Sequence, residues 1–170
     1  IPDATAGEIN VDHGVLRNGV IDGGKLRISG ASSQPGESTV SIRRGHFVNE
    51  GVHFQQDGGN YELDGAVAAD SGGRIINNGT WNSEGTNSIL NTHGEGVFQN
   101  KGLFSQDEGS MSMSSFLVNN GGTLEALNGI INLRGGGTFS SGSTLHANGE
   151  AIFLRDGVYQ FNGGGFTGNQ

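Results

Sequence analysis

Phe98-Gln99-Asn100-Lys101-Gly102-Leu103-Phe104 is the stretch that decides the fold. It reads as an apolar residue, one free position, Asn, one free position, Gly, and then an aromatic residue or leucine two or three residues on. The same phrase occurs as Phe47-Val48-Asn49-Glu50-Gly51-Val52-His53-Phe54, as Ile75-Ile76-Asn77-Asn78-Gly79-Thr80-Trp81, and as Leu117-Val118-Asn119-Asn120-Gly121-Gly122-Thr123-Leu124. Its glycines are spaced by 28, 23 and 19 residues. That spacing falls near the short end of the roughly 20–45 residues of a stacked structural repeat. A drifting step suits a solenoid, which takes insertions at its turns while its inward positions stay in register.

Working outward from this phrase, short strand signals fill the chain. Lys25-Leu26-Arg27-Ile28, Thr39-Val40-Ser41-Ile42-Arg43, Asn60-Tyr61-Glu62-Leu63, Gly129 to Arg134, and Val158-Tyr159-Gln160-Phe161 largely alternate polar and apolar residues. Gly, Asn, Asp or Ser bound each run and supply turns. Paired glycines precede strands at Gly23-Gly24, Gly121-Gly122 and Gly136-Gly137. Helix signals are nearly missing, and interior glycine costs a helix about 1 kcal/mol per residue. Glycine makes up 33 of 170 residues, without the period of three that collagen requires. Only 32% of residues are hydrophobic and 15% charged, so a conventional compact core is hard to build. Stacked coils overcome this by sharing one continuous core.

The expected fold is therefore all-β: a parallel β-solenoid, a right-handed β-helix of roughly seven or eight coils, in one domain spanning 1–170. The alternative is an antiparallel β-sandwich of many short strands. In the solenoid, Asn49, Asn77, Asn100 and Asn119 form a corner column with Gly51, Gly79, Gly102 and Gly121. The amides stack as a ladder, and both residue types meet the left-handed conformation expected of such a corner.

This cadence resembles secreted bacterial parallel β-helix proteins, namely filamentous-haemagglutinin-type exoproteins and autotransporter passenger domains, over roughly residues 15–165. The resemblance implies an extracellular or cell-surface location and a structural role as adhesin, rod or self-associating fibre subunit. The partners expected are further copies end to end, flanking repeats of the same protein, or host or matrix glycans. The opening Ile1-Pro2-Asp3 fits a processed protein or a segment of a longer one.

Charge and composition exclude several classes. Nine Lys and Arg against seventeen Asp and Glu give a net charge of −8 with no basic stripe, which disfavours nucleic acid and anionic membranes. No apolar run reaches the length of a membrane helix. Cysteine is absent, which removes disulfides and Cys-based zinc sites.

The functional alternative is a carbohydrate-active enzyme or a carbohydrate-binding module. Its carboxylate candidates are Asp57, Glu62 and Asp64, or Asp107 with Glu108, and its cations Arg134 and Arg155. Seventeen carboxylates form close pairs by chance, so a solvated acidic face is the plainer expectation and no catalytic residue is assigned. The histidines, His46 and His53 included, read as exposed turn residues rather than metal ligands. No cofactor is expected. Calcium is the one candidate, but Asp22-Gly23-Gly24 and Asp57-Gly58-Gly59 lack the β-roll calcium motif and read as turns. Phe54, Tyr61, Trp81 and Phe104 are expected to stack in the core rather than on sugars.

Overall fold

The computed structural model describes residues 7–64, 72–93, 95–148 and 150–168. Among them lie 23 strands and no helix. Most strands are four residues long, as the short alternating runs dictate. The third coil shows the plan: His46–Asn49, Val52–Gln55 and Asn60–Asp64, joined by two tight corners.

Each strand pairs with its counterparts in the neighbouring coils. The first strands of all coils form one eight-stranded sheet, the second strands another, and the third strands a seven-stranded sheet. Seven coils have three strands, and an eighth contributes Tyr159–Asn162 and Gly165–Gly168. All pairings between strands are parallel, which makes the fold a β-solenoid and excludes the antiparallel sandwich. Backbone groups are satisfied between coils, about 4.8 Å apart.

A four-residue strand turns its second and fourth residues inward. In Arg74–Asn77, Ile75 and Asn77 are buried; in Thr80–Ser83, Trp81 and Ser83 are. The inward columns pool into one axial core that includes Ile28, Phe47, Tyr61, Ile75, Trp81, Phe98, Phe104, Leu117, Ile131 and Phe139. Trp81 is its centre. Its ring lies 4.3–6.2 Å from those of Phe47, His53, Tyr61, Phe98 and Phe104. Each such side chain contributes about 1.5–3 kcal/mol on burial. A chain so poor in apolar residues folds because each of them touches two coils at once.

Left-handed backbone occurs at all three corners, but between the first and second sheets only at Gly121, Gly142 and Gly163, and not at Gly51, Gly79 or Gly102. Gly58, Gly85 and Gly109 have positive φ at the corner between the second and third sheets, as does Glu37. Gly23, Gly136, Gly157 and Arg44 have it at the corner between the third and first. The fragments Asp22-Gly23-Gly24 and Asp57-Gly58-Gly59 are thus turns, as their composition indicates.

Candidate functional site

The repeated phrase builds the corner between the first and second sheets. Asn49, Asn77, Asn100 and Asn119 end consecutive strands of the first sheet and are paired in register. All four are fully buried. Asn49 Nδ2 donates to Asn77 Oδ1 at 2.8 Å, Asn77 Nδ2 to Asn100 Oδ1 at 2.8 Å, and Asn100 Nδ2 to Asn119 Oδ1 at 3.0 Å. The second hydrogen of each of these three amides reaches a backbone carbonyl just past the corner of the next coil: Thr80, Leu103 and Thr123. The ladder therefore fastens each corner to the one that follows it. Ile28 precedes it and Phe139 follows it in the same column. Ile28 has no donor, so Asn49 Oδ1 is buried without a partner, whereas Asn119 Nδ2 ends the series on the Gly122 carbonyl at 2.9 Å.

Three of the four glycines of the phrase serve close approach rather than a left-handed turn. A Cβ on Gly51, Gly79 or Gly102 would meet the carbonyl oxygen of Gly30, Gly51 or Gly79 of the preceding coil at 1.9, 2.1 and 1.9 Å. The fourth glycine of the column is Gly122, not Gly121. Gly122 directly precedes its strand and faces the Gly102 carbonyl. Gly121 is an extra corner residue with φ +79° and open space around it. That inserted residue is why the spacing rule selected the wrong glycine of the pair.

Sequence reasoning missed a second buried polar column at the far end of the second sheet. Gln34, Gln55, Ser83 and Gln106 occupy one register position and are fully buried. Here the side chains hold turns rather than one another. Gln34 Nε2 donates to the carbonyls of Ser38 and Asn60, and Gln55 Nε2 to that of Gly59. Gln106 Nε2 donates to the carbonyls of Gly85 and Glu108. Gln55 Oε1 accepts from Trp81 Nε1 at 3.1 Å. The available signal was Gln two to four residues before a turn glycine, after a strand that opens directly behind a corner glycine.

The aromatic positions are also offset by one residue. Trp81 is paired with His53 and Phe104, not with Phe54. A shift of one residue exchanges the faces of a strand. His53 is consequently buried, contrary to its expected place on an exposed turn, and Phe54 is 47% exposed, contrary to its expected place in the core. Tyr61, Trp81 and Phe104 are buried as expected. His53 Nδ1 lies 2.8 Å from Ser32 Oγ and its Nε2 lies 3.0 Å from Tyr61 Oη. One ring nitrogen donates and the other accepts, so a neutral imidazole satisfies both. Burial pushes the imidazole down to about 3 and the Tyr61 phenol well above its ordinary value. The trio is sealed in the core, where it ties three strands together.

The carboxylate candidates hold structure. Asp57 Oδ1 accepts from the Thr86 amide at 2.7 Å, and Glu62 from Ser41 Oγ at 3.0 Å. Asp64 pairs with Arg43 and His93, and Asp107 accepts from Asn128. Arg134 pairs with Asp156, while Arg155 donates to Asn132 and lies over the Phe153 ring. No group of three or more His, Asp or Glu able to hold a metal occurs among the described residues.

The outer faces of the first and second sheets differ in chemistry. The first sheet presents Glu8, Lys25, Arg27, His46 and Arg74 over four coils, and Arg27 joins Glu8 to Glu50. Outward residues of the second sheet carry no charge from Ala31 through Thr123. Large exposed apolar side chains gather at the two ends: Ile9, Val15 and Val20 in the first coil, and Phe153, Leu154, Val158, Phe161 and Phe166 in the last two. No protein-family model, no curated protein and no solved structure matches the chain.

Proposed function

We propose that this chain is a rod segment of an extracellular bacterial surface protein, an adhesin or fibre whose work is mechanical. The observation that carries the reading is the apolar exposure of the first and last coils among the described residues. Inward positions buried completely in the middle of the stack are open at its limits. Phe166 stands in the column of Trp81 and Phe104 yet is 64% exposed, and Ile9 stands in the column of Phe47 and Ile75 yet is also 64% exposed. Surfaces of this kind, bordered by unpaired strand edges, are covered by another coil or another copy. The continuous core and the amide ladder supply stiffness along the axis between them.

Small-angle scattering tests the rod directly: an elongated particle is expected, and a globular one overturns the reading. Light scattering over a concentration series tests the ends. End-to-end growth is expected, weakened by Phe161→Glu with Phe166→Glu. Growth unaffected by that pair of substitutions would assign it to another surface.

A further inference from the structure

We infer that the outer face of the second sheet binds an uncharged, extended oligosaccharide lying along the rod axis and centred on Phe54. Val15, Ser33, Phe54, Asn82 and Ser105 follow one another in register down a single outward column. Phe54 is the only ring in that run, and it stands half exposed between two depressions. The first, of about 520 Å³, lies toward the C-terminal coils and includes Gln56, Asn82, Glu84, Ser105, Asp107 and Leu127. The second, of about 500 Å³, lies toward the N-terminal coils and includes His13, Val15 and Ala31. Ser33 and Phe54 line both, so the two depressions adjoin on either side of the Phe54 ring and follow one another from coil to coil as an interrupted trough.

The chemistry of this trough selects its occupant. A flat apolar ring suits the C–H face of a pyranose. Amides and hydroxyls beside it, at Gln56, Asn82 and Ser33, both donate and accept, which matches sugar hydroxyls. Glu84 and Asp107 add two acceptors for hydroxyl donors and repel uronate, sulfate and phosphate groups. Among the described residues, neither Lys nor Arg lines either depression. Ser105 Oγ, on a residue only 5% exposed, is buried in the floor with no hydrogen-bond partner among the described residues. Successive rungs rise about 4.8 Å, close to the length of one residue in an extended β-linked glycan.

The inference names a ligand for the proposed surface protein, but it stands on the trough and not on the open ends. Titration calorimetry of the full chain with cellohexaose and with N-acetylchitohexaose is the test, with hexagalacturonate as the charged comparison. Binding of at least one neutral hexamer is expected, with at least tenfold weaker binding of hexagalacturonate. Phe54→Ala should reduce affinity at least tenfold and Asn82→Ala severalfold. Phe116→Ala, an exposed ring on the first sheet, should leave affinity unchanged. Phe54 points outward, so its variant should keep the parent melting temperature. Absence of binding by both neutral hexamers at millimolar concentration overturns the inference, as does binding that Phe54→Ala leaves intact or that hexagalacturonate equals. A rod-shaped particle in scattering that binds neither hexamer would sink the glycan site and leave the rod standing.

Discussion

The two corners that bound the second sheet solve the same problem in different ways. Each must bury polar backbone where the chain bends. At the first, four asparagines bond to one another along the axis. At the second, glutamines bond to the carbonyls of their own and neighbouring turns, with Ser83 and then Ala126 replacing glutamine in the same column. The difference follows from turn length. The asparagine corner keeps two residues between strands in three of its four copies, so equivalent side chains meet their equivalents. The glutamine corner varies between three and four residues, and a longer, more adaptable side chain is needed to find a moving carbonyl. A uniform turn supports a ladder; a variable turn supports individual clasps.

Gly102→Ala attacks the uniform corner where it is tightest. Its Cβ would lie 1.9 Å from the Gly79 carbonyl oxygen, so the backbone of two coils must separate. A loss of about 4 kcal/mol or more is expected in urea unfolding. A loss below 1 kcal/mol would show that the corner is looser than the ladder geometry requires.

Acid distinguishes the corners by what titrates near them. Amides do not protonate, so the asparagine ladder is indifferent to pH. His53, two residues before Gln55, is held neutral with its value pushed down to about 3, while an unfolded histidine titrates near 6.5. The unfolded chain binds the extra proton, so this contribution is complete above about pH 6.5. It falls by about 1.4 kcal/mol per unit as pH drops toward 3, and is spent below that. Thermal melts across this window should show the slope, and His53→Phe should remove that part of it. An unchanged slope in the variant would assign the acid sensitivity to other groups.

Matched substitutions compare the two polar columns themselves. Asn100→Ala removes the donor to Asn119 and the acceptor for Asn77 at once. About 2–3 kcal/mol should be lost, because neighbours in a buried chain of hydrogen bonds are left unpaired together. Gln55→Leu strands the Trp81 N–H and the Gly59 carbonyl but propagates no further, and should cost about 1–2 kcal/mol. Equal losses in the two variants would mean that the ladder gains nothing from its continuity. The smallest effect belongs to Gly121→Ala. There φ is +79° but space is open, so only backbone strain of about 1 kcal/mol opposes the methyl group. A cost as large as that of Gly102→Ala would return Gly121 to the column.

This contrast also explains what could be read from the chain alone. The strands Lys25–Ile28 and Thr39–Arg43 have the limits that alternation assigns them. The asparagine column is visible because a constant turn repeats a constant phrase. The Gly121 for Gly122 error comes from the one copy whose turn grew by a residue. The exchange of His53 and Phe54 has a different origin. Both residues are ring-bearing neighbours on one strand, and composition favours Phe for the core. The core instead took His53, because Ser32 in the coil before it and Tyr61 on the third sheet supply partners for both ring nitrogens. Partners lying 21 residues back and 8 residues ahead on different sheets leave no local signature. The glutamine column was obscured by its own irregular spacing and by Ser83.

The asparagine ladder also gives the molecule a vectorial character. The amides of Asn49, Asn77 and Asn100 point their N–H groups toward the C-terminal coils, so the small group dipoles add rather than cancel, and each bond polarises the next. One extremity of the series presents a bare oxygen and the other a donor already engaged. Winding in one sense along the axis is thus written into the interior as well as the backbone. Two such rods meeting head to head would oppose their internal polarities, whereas head-to-tail stacking would extend a single aligned one.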